Sequence, residues 1–376
     1  MKKAIYSFIV MMLLISMVGC AGSGSNEKSE VENEQEKATG KAPKGEKTGR
    51  VGVSMPTKSS ERWIRDSEGI KEGLEALGYE VDLQFAEDHV DVQVSQIENM
   101  LMQGVDALVI AAIDGATLTT VCNMAREQGV VIIAYDRLIM NTEAVDYFAT
   151  FDSTAIGKLQ GGYIVEKLGL KEGKGPFNVE IFAGSLDDSN TPFYYEGAMM
   201  ELQPYIDNGM VVVKSAQVNL NQVATQNWDG QIAQARMDNI LTAFYADGSK
   251  VDAVVSPYDG LSLGILSALK GIGYGAEDLP YPIISGQDCE IPSIKSIIAG
   301  EQAQSVFVDT RELSKVAVKL VDETLKNGVA EVNRLEAYDN SVKKVSAMAI
   351  SATSVDIDNY EEVLIGSNYY TEEDLK

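Results

Sequence analysis

Asp136 and Arg137 stand side by side at the end of Val130-Val131-Ile132-Ile133-Ala134-Tyr135, a run with no charged residue. The first supplies a carboxylate that accepts hydrogen bonds, the second a planar fork that only donates. Set at a crevice, they offer a ligand one acceptor beside one rigid donor. A short apolar run between turn signals reads as a strand buried on both faces of a parallel sheet. In open α/β sheets ligands bind just beyond the carboxyl ends of such strands. The same two residues also fit a helix cap followed by a surface arginine, and the strand alone leaves both readings open.

Other reactive side chains are sparse. The single histidine, His89, lies between Asp88 and Asp91 in a polar stretch and reads as a surface residue. No Ser/His/Asp or Cys/His set can be built around it, so catalysis is not expected. Cys122, in Thr119-Thr120-Val121-Cys122-Asn123-Met124-Ala125, reads as a small buried residue on a helix. Cys122 and Cys289 form no disulfide framework and have no metal-ligand spacing. No cofactor and no metal are expected. A formal charge of −25 argues against a nucleic-acid partner, which wants a basic stripe.

The elements that must position Asp136 and Arg137 begin well into the chain. Lys2 and Lys3 followed by the apolar stretch Ala4 to Val18 read as a signal peptide over residues 1–19, too short to span a membrane. Met17-Val18-Gly19-Cys20 resembles a bacterial lipobox, which implies a diacylated Cys20. Two acyl chains give stable anchoring where one is marginal. From Ala21 to about Thr48 the chain is Gly, Ser, Lys and Glu with almost no large apolar residues, so residues 20–49 are expected to be a lipid-anchored flexible tether.

From Arg50 strands and helices alternate. The strands are Arg50–Met55, Val81–Phe85, Val105–Ala112, Val130–Tyr135 and Tyr147–Asp152; the helices are Ser60–Leu77, Val94–Gln103 and Leu118–Gln128, with Gly78, Gly104 and Gly129 as stops. The pattern restarts at Phe177–Ala183 and ends at Ser305–Val308. Such alternation demands right-handed βαβ crossovers and parallel sheets, hence an α/β fold of two Rossmann-like lobes with a cleft between their strand ends. With 376 residues, 45% of them apolar, two cores can be filled. Helix Glu312–Leu325 has no obvious place in either lobe.

Five stretches, Met55-Pro56-Thr57-Lys58-Ser59-Ser60-Glu61-Arg62-Trp63, Gln96-Ile97-Glu98-Asn99-Met100, Ala134-Tyr135-Asp136-Arg137, Ser256-Pro257-Tyr258-Asp259-Gly260 and Ser285-Gly286-Gln287-Asp288, resemble the periplasmic monosaccharide-binding proteins of ABC transporters. The likeness is nearest to the multiple sugar-binding receptor subgroup, then to the xylose-binding protein, and more distantly to the ribose-binding protein. It implies a type I periplasmic-binding fold whose chain crosses between lobes three times, here near Asp152, Asp309 and the Lys343 region. The N-terminal lobe is then 50–152 with 309–343, and the C-terminal lobe 153–308 with 344–376. Helix Glu312–Leu325 would join the N-terminal lobe. By position the resemblance implies a sugar site of Arg62, Trp63, Asp136, Arg137, Asn190, Trp228, Asp259, Gln287 and Asp288.

The chemistry of these residues suits a pyranose, a ring of hydroxyls edged around two apolar C–H faces. Asp136, Asp259 and Asp288 accept from hydroxyls, and Arg62, Arg137 and Asn190 donate; the bonds with one charged partner are the stronger kind. Trp63 and Trp228 offer flat surfaces to the C–H faces. Three of the nine keep a structural alternative: Trp228 as a core aromatic, Asp259 as a helix N-cap, and Gln287 as a support for its neighbour. Members of the family often carry Lys or Gln where this chain has Val308, so the expected set lacks one donor and the sugar is left open among galactose, glucose, xylose and arabinose. The implied protein is an extracytoplasmic monomer that hands its sugar to an ABC permease. A sensor lipoprotein presenting sugar to a chemotaxis or histidine-kinase receptor would use the same cleft. Glycoside hydrolysis would need a carboxylate pair with no other task, and a repressor would need a basic N-terminal helix-turn-helix.

Overall fold

The computed structural model describes residues 48–376. The signal segment, the Cys20 lipobox and nearly all of the tether lie outside the described residues. The first lobe is built from β1 (Gly49–Met55), α1 (Glu61–Ala76), β2 (Tyr79–Phe85), α2 (Val90–Met102), β3 (Ala107–Ile110), α3 (Thr119–Glu127), β4 (Val131–Tyr135) and β5 (Tyr147–Phe151). β1 thus starts one residue inside the stretch read as tether. The chain then enters the second lobe through α4 (Ser153–Lys167), β6 (Phe177–Ile181), α5 (Thr191–Asp207), β7 (Val211–Val212), α6 (Leu220–Val223), α7 (Gly230–Phe244), β8 (Ala253–Val255), α8 (Asp259–Gly271), β9 (Ile283–Ile284), α9 (Ile291–Ile298) and β10 (Ser305–Phe307). It returns with α10 (Thr310–Asn327), β11 (Arg334–Asp339) and β12 (Lys344–Ile350), and ends in the second lobe with β13 (Thr353–Val355) and a terminal tail.

The larger sheet runs β11-β12-β5-β4-β3-β1-β2, parallel except at its β11–β12 edge. Side chains alternate across it, as strand geometry requires. Val109, Ile133 and Tyr135 face α1 and α10 in one apolar layer, while Leu108, Ile110, Ile132 and Ala134 face α2 and α3 in the other. Both layers are buried and apolar, which is why these strands read as unbroken apolar runs. The smaller sheet, β7-β6-β8-β9, is parallel, with β10 and β13 as an antiparallel pair beside it, joined by a bridge between Gln287 and Val306. α7 and α8 cover one of its faces, α4 and α5 the other.

One expected boundary is corrected. β12 pairs in parallel with β5 from Ser346–Tyr147 to Ile350–Phe151, so residues 344–350 belong to the first sheet. The third crossing falls between Ile350 and Thr353, not in the Lys343 region. Val345, Ala347 and Ala349 alternate into the core and drive that pairing. α10 packs along α1, which places it with the first lobe.

Candidate functional site

The strand ends of both sheets meet at a cleft lined from both lobes, with Arg62, Trp63 and Asp136 on one side and Asp188, Trp228 and Asp288 on the other. Tyr135 ends β4 with its hydroxyl donating to Asp66 Oδ1 at 2.5 Å. The next residue, Asp136, turns into the left-handed region at φ +61°, which swings its carboxylate into the cleft. Its backbone is pinned: its N–H donates to the Ala149 carbonyl at 2.7 Å, and its own carbonyl accepts from Asn190 Nδ2 at 2.8 Å and Thr150 Oγ1 at 3.2 Å. Non-glycine residues held at positive φ persist only where surroundings impose it, and they gather at functional sites. Asn227, Trp228 and Asp288 share the feature here, at φ 53°, 55° and 91°.

Arg62, in the first turn of α1, is the electrostatic centre. Its Nε donates to Asp66 at 3.1 Å, and Nη1 and Nη2 each donate to Asp136 Oδ1 at 3.3 Å. Nη1 also lies 3.7 Å from Asp288 across the cleft. Burial opposes its charge, but Asp136, Asp66 and Asp288 outweigh it and hold the guanidinium protonated well beyond its usual range. Both guanidiniums face the Trp63 ring, Arg62 at 4.5 Å and Arg137 at 5.3 Å from its centre. Arg137 pairs with Asp188 of the second lobe at 2.8 Å, and the Trp228 indole N–H donates to the same carboxylate at 3.2 Å. Trp228 lies flat over Gly184, where a Cβ would meet its ring at 2.1 Å; only glycine leaves it room. Tyr194 and Tyr258 meet Trp228 edge-on, with centroids 6.3 and 6.1 Å away.

Burial raises the Asp288 carboxyl above its ordinary value while Arg62 pulls it back. Asp188 is raised in the same way, with Arg137 opposing. Glu290, two residues beyond Asp288, pairs with no cation among the described residues: it accepts from Ser60 Oγ of the first lobe at 2.9 Å and from Tyr258 OH at 3.1 Å. Burial, then the charge of Asp288, pushes it from 4.5 up to about 7. Because the folded value is raised, this contribution to stability is complete below about pH 4.5 and is lost as pH climbs through about 7. Glu290→Gln, which keeps an acceptor and cannot ionise, should match the parent at pH 4.5 and melt higher at pH 8, by on the order of a few degrees. Melting scans across pH check this, and a constant difference would contradict it.

Of the nine expected residues, the structure brings Arg62, Trp63, Asp136, Arg137, Trp228, Gln287 and Asp288 to the cleft surface. Gln287 both donates to Asp288 Oδ1 at 3.2 Å and keeps its Oε1 buried without a hydrogen-bond partner. Asn190 stands behind the surface and acts through the Asp136 carbonyl. Asp259 is corrected more fully. It is completely buried, and its oxygens accept from the Glu290 N–H, Ser305 Oγ and Gln302 Nε2, which ties the loop before α9 to β10 and leaves nothing for a ligand. It caps no helix either, since α8 is preceded by Tyr258. Val308 is fully buried in the apolar core with Val306 and Leu313, so no donor is missing from the cleft at that position. Sequence reasoning passed over Asp88, Asp188, Tyr194 and Tyr258 in the lining. Asp188 carried the same signal as Asp136, a carboxylate shortly past an apolar strand.

Residues 51–328 match the family description of the periplasmic binding protein domain. The multiple sugar-binding periplasmic protein SbpA of Azospirillum brasilense is 55% identical over 326 residues, 87% of this chain and 91% of that one. An ABC transporter solute-binding protein from Clostridium phytofermentans, solved with bound β-D-glucose, is 48% identical with a TM-score of 0.84 over 87% of this chain and all of that one. A carbohydrate-transporter solute-binding protein from Chloroflexus aurantiacus, solved in complex with D-glucose, is 33% identical with a TM-score of 0.78, over 87% of this chain and 98% of that one. Two lobes wound in parallel, three crossings and a charged aromatic cleft at the strand ends agree with that match: the chain belongs to the periplasmic binding protein domain family.

Proposed function

We propose that the chain binds a monosaccharide, an aldose of the glucose, galactose, xylose or arabinose kind, and delivers it to an ABC permease. The observation that carries this reading is the lining, in which carboxylates and guanidiniums surround a space walled by Trp63 and Trp228. A sugar hydroxyl donates and accepts at once, so it can satisfy an Asp and an Arg together. Asp136 and Asp288 accept, Arg62 and Arg137 donate, and the unpartnered Oε1 of Gln287 is a further acceptor. The two indoles take the C–H faces. Glucose in two solved relatives supports an aldohexose. The protein works as a monomer outside the cell membrane, held there by lipid on Cys20; recovery of Cys20→Ser from the soluble fraction, where the parent sediments with membranes, tests the anchor.

A melting-temperature panel tests the ligand. One or more of the four aldoses should raise the melting point saturably, by mass action on the folded state, while amino acids and nucleosides should not. Asp136→Asn keeps the shape and tolerates φ +61°, as asparagine does. It removes only the charge, so calorimetry should give an affinity about tenfold to a hundredfold weaker. A panel in which no sugar acts, or an Asn variant that binds like the parent, rejects the assignment.

A further inference from the structure

The chain's last residues lie beyond the 51–328 stretch matched by the family description, yet they reach the cleft from behind. Tyr370 is buried in the second lobe with Cys289, Phe307 and Leu364. Its hydroxyl donates to the Cys289 carbonyl at 2.9 Å. Cys289 follows Asp288, and both are held in the left-handed region, at φ 51° and 91°. The other side of the Tyr370 ring is covered by the first lobe: the Arg65 guanidinium of α1 lies 4.6 Å from its centre and 5.2 Å from that of Tyr369. Glu61 braces Arg65 at 2.6 Å. Arg65 stands one turn after Arg62 on the same helix. Two guanidiniums one turn apart therefore address two consecutive strained residues, Arg62 reaching Asp288 directly and Arg65 reaching Cys289 through Tyr370.

We propose that Arg65 and Tyr370 are positioning residues for the sugar site, a clasp that holds the Asp288 turn against α1 when the lobes are closed. The proposal rests on the sugar-binding reading. Opening the cleft exposes the Arg65–Tyr370 contact to water, so the clasp favours the closed form and slows ligand release. Arginine–aromatic contacts of this size correspond to about threefold to tenfold in an equilibrium.

The test uses the full chain with D-glucose as probe, in calorimetry and stopped-flow release, together with interlobe distances from one spin label per lobe measured without sugar. Tyr370→Phe, which keeps the ring and loses the bond to Cys289, and Arg65→Met, which keeps the stem and loses the charge, should each weaken binding about threefold to tenfold through faster release. Arg65→Met should also shift the sugar-free distances towards the open form, which Tyr370→Phe should not, because it keeps the ring that Arg65 covers, and Arg65→Lys should restore part of both effects. Since the two residues act in series, the double variant should be little worse than the worse single one. Unchanged affinity, release and distances in both variants overturn the proposal. So does a lower melting point with unchanged affinity and distances, which would make the tail mere packing. If the parent ignores D-glucose while the distances still shift as expected, the sugar assignment fails and the clasp stands.

Discussion

Arg62→Leu should lower both stability and sugar affinity more than any other single change in the cleft. The guanidinium neutralises Asp66 at 3.1 Å, Asp136 at 3.3 Å and Asp288 at 3.7 Å, all of them buried. Removing one member of a buried ion pair costs about 3–5 kcal/mol, because the partner left behind has neither water nor a counter-charge. Here three carboxylates are left. Asp66 offers partial relief, since burial already pushes it up to about 7 and it can take a proton. The melting point should therefore fall by on the order of 10 °C at pH 8 and by less at pH 5. Affinity for the sugar that the parent binds should fall at least about a hundredfold. Arg62→Lys restores a charge without the fork, and one ammonium cannot reach three carboxylates, so it should recover stability better than affinity. Calorimetry on folded Arg62→Lys showing parental affinity would take Arg62 out of the site.

Much of this arrangement was legible in local sequence because its strands are short and buried on both faces. Val131 to Tyr135 admits nothing charged, and the first charged residues past it are the ones that meet the cleft. What local sequence hides is long-range pairing. Lys344 to Ile350 alternates plainly, but its partner is β5, almost two hundred residues earlier, and nothing nearby tells that it returns to the first sheet. The errors at Val308 and Asp259 are of another kind. Val306 and Val308 point into one apolar core while Phe307 packs into another, so neither face of this strand opens on the cleft. Asp259 opens α8 directly after the cleft-lining Tyr258 yet faces backwards, where the Glu290 N–H, Ser305 and Gln302 claim it. Tyr194 fits the apolar face of α5 and gives no sign in sequence that the helix starts at the cleft wall.

That helix start is fixed by glycine, and the second large effect follows from it. Gly157 and Gly161 on α4 pack against α5, and Gly197 on α5 packs against α4, at backbone contact. A Cβ on Gly157 would lie 2.1 Å from the Tyr194 carbonyl oxygen, and one on Gly197 would lie 2.2 Å from that of Thr154. The obstacle is backbone, so no rotamer change relieves it; α4 and α5 would have to separate by an ångström or more, and interiors this dense do not deform cheaply. Gly157→Val is expected to cost at least about 3 kcal/mol, at the upper end for overpacking. The displaced part of α5 carries Tyr194 in the cleft wall, and the residue before the helix, Asn190, donates at 2.8 Å to the Asp136 carbonyl. Affinity should therefore fall with stability, although residue 157 touches no ligand. Gly162 is the control: it lies next to Gly161 on the same helix, and a Cβ there would meet only the Glu201 side chain at 3.9 Å or more. Gly162→Ala should leave affinity at the parental value and raise the melting point slightly, through the better helix propensity of alanine. Equal behaviour of Gly157→Val and Gly162→Ala in thermal melts and calorimetry would refute the account of α4 and α5 as a glycine-fitted seam that sets the cleft wall.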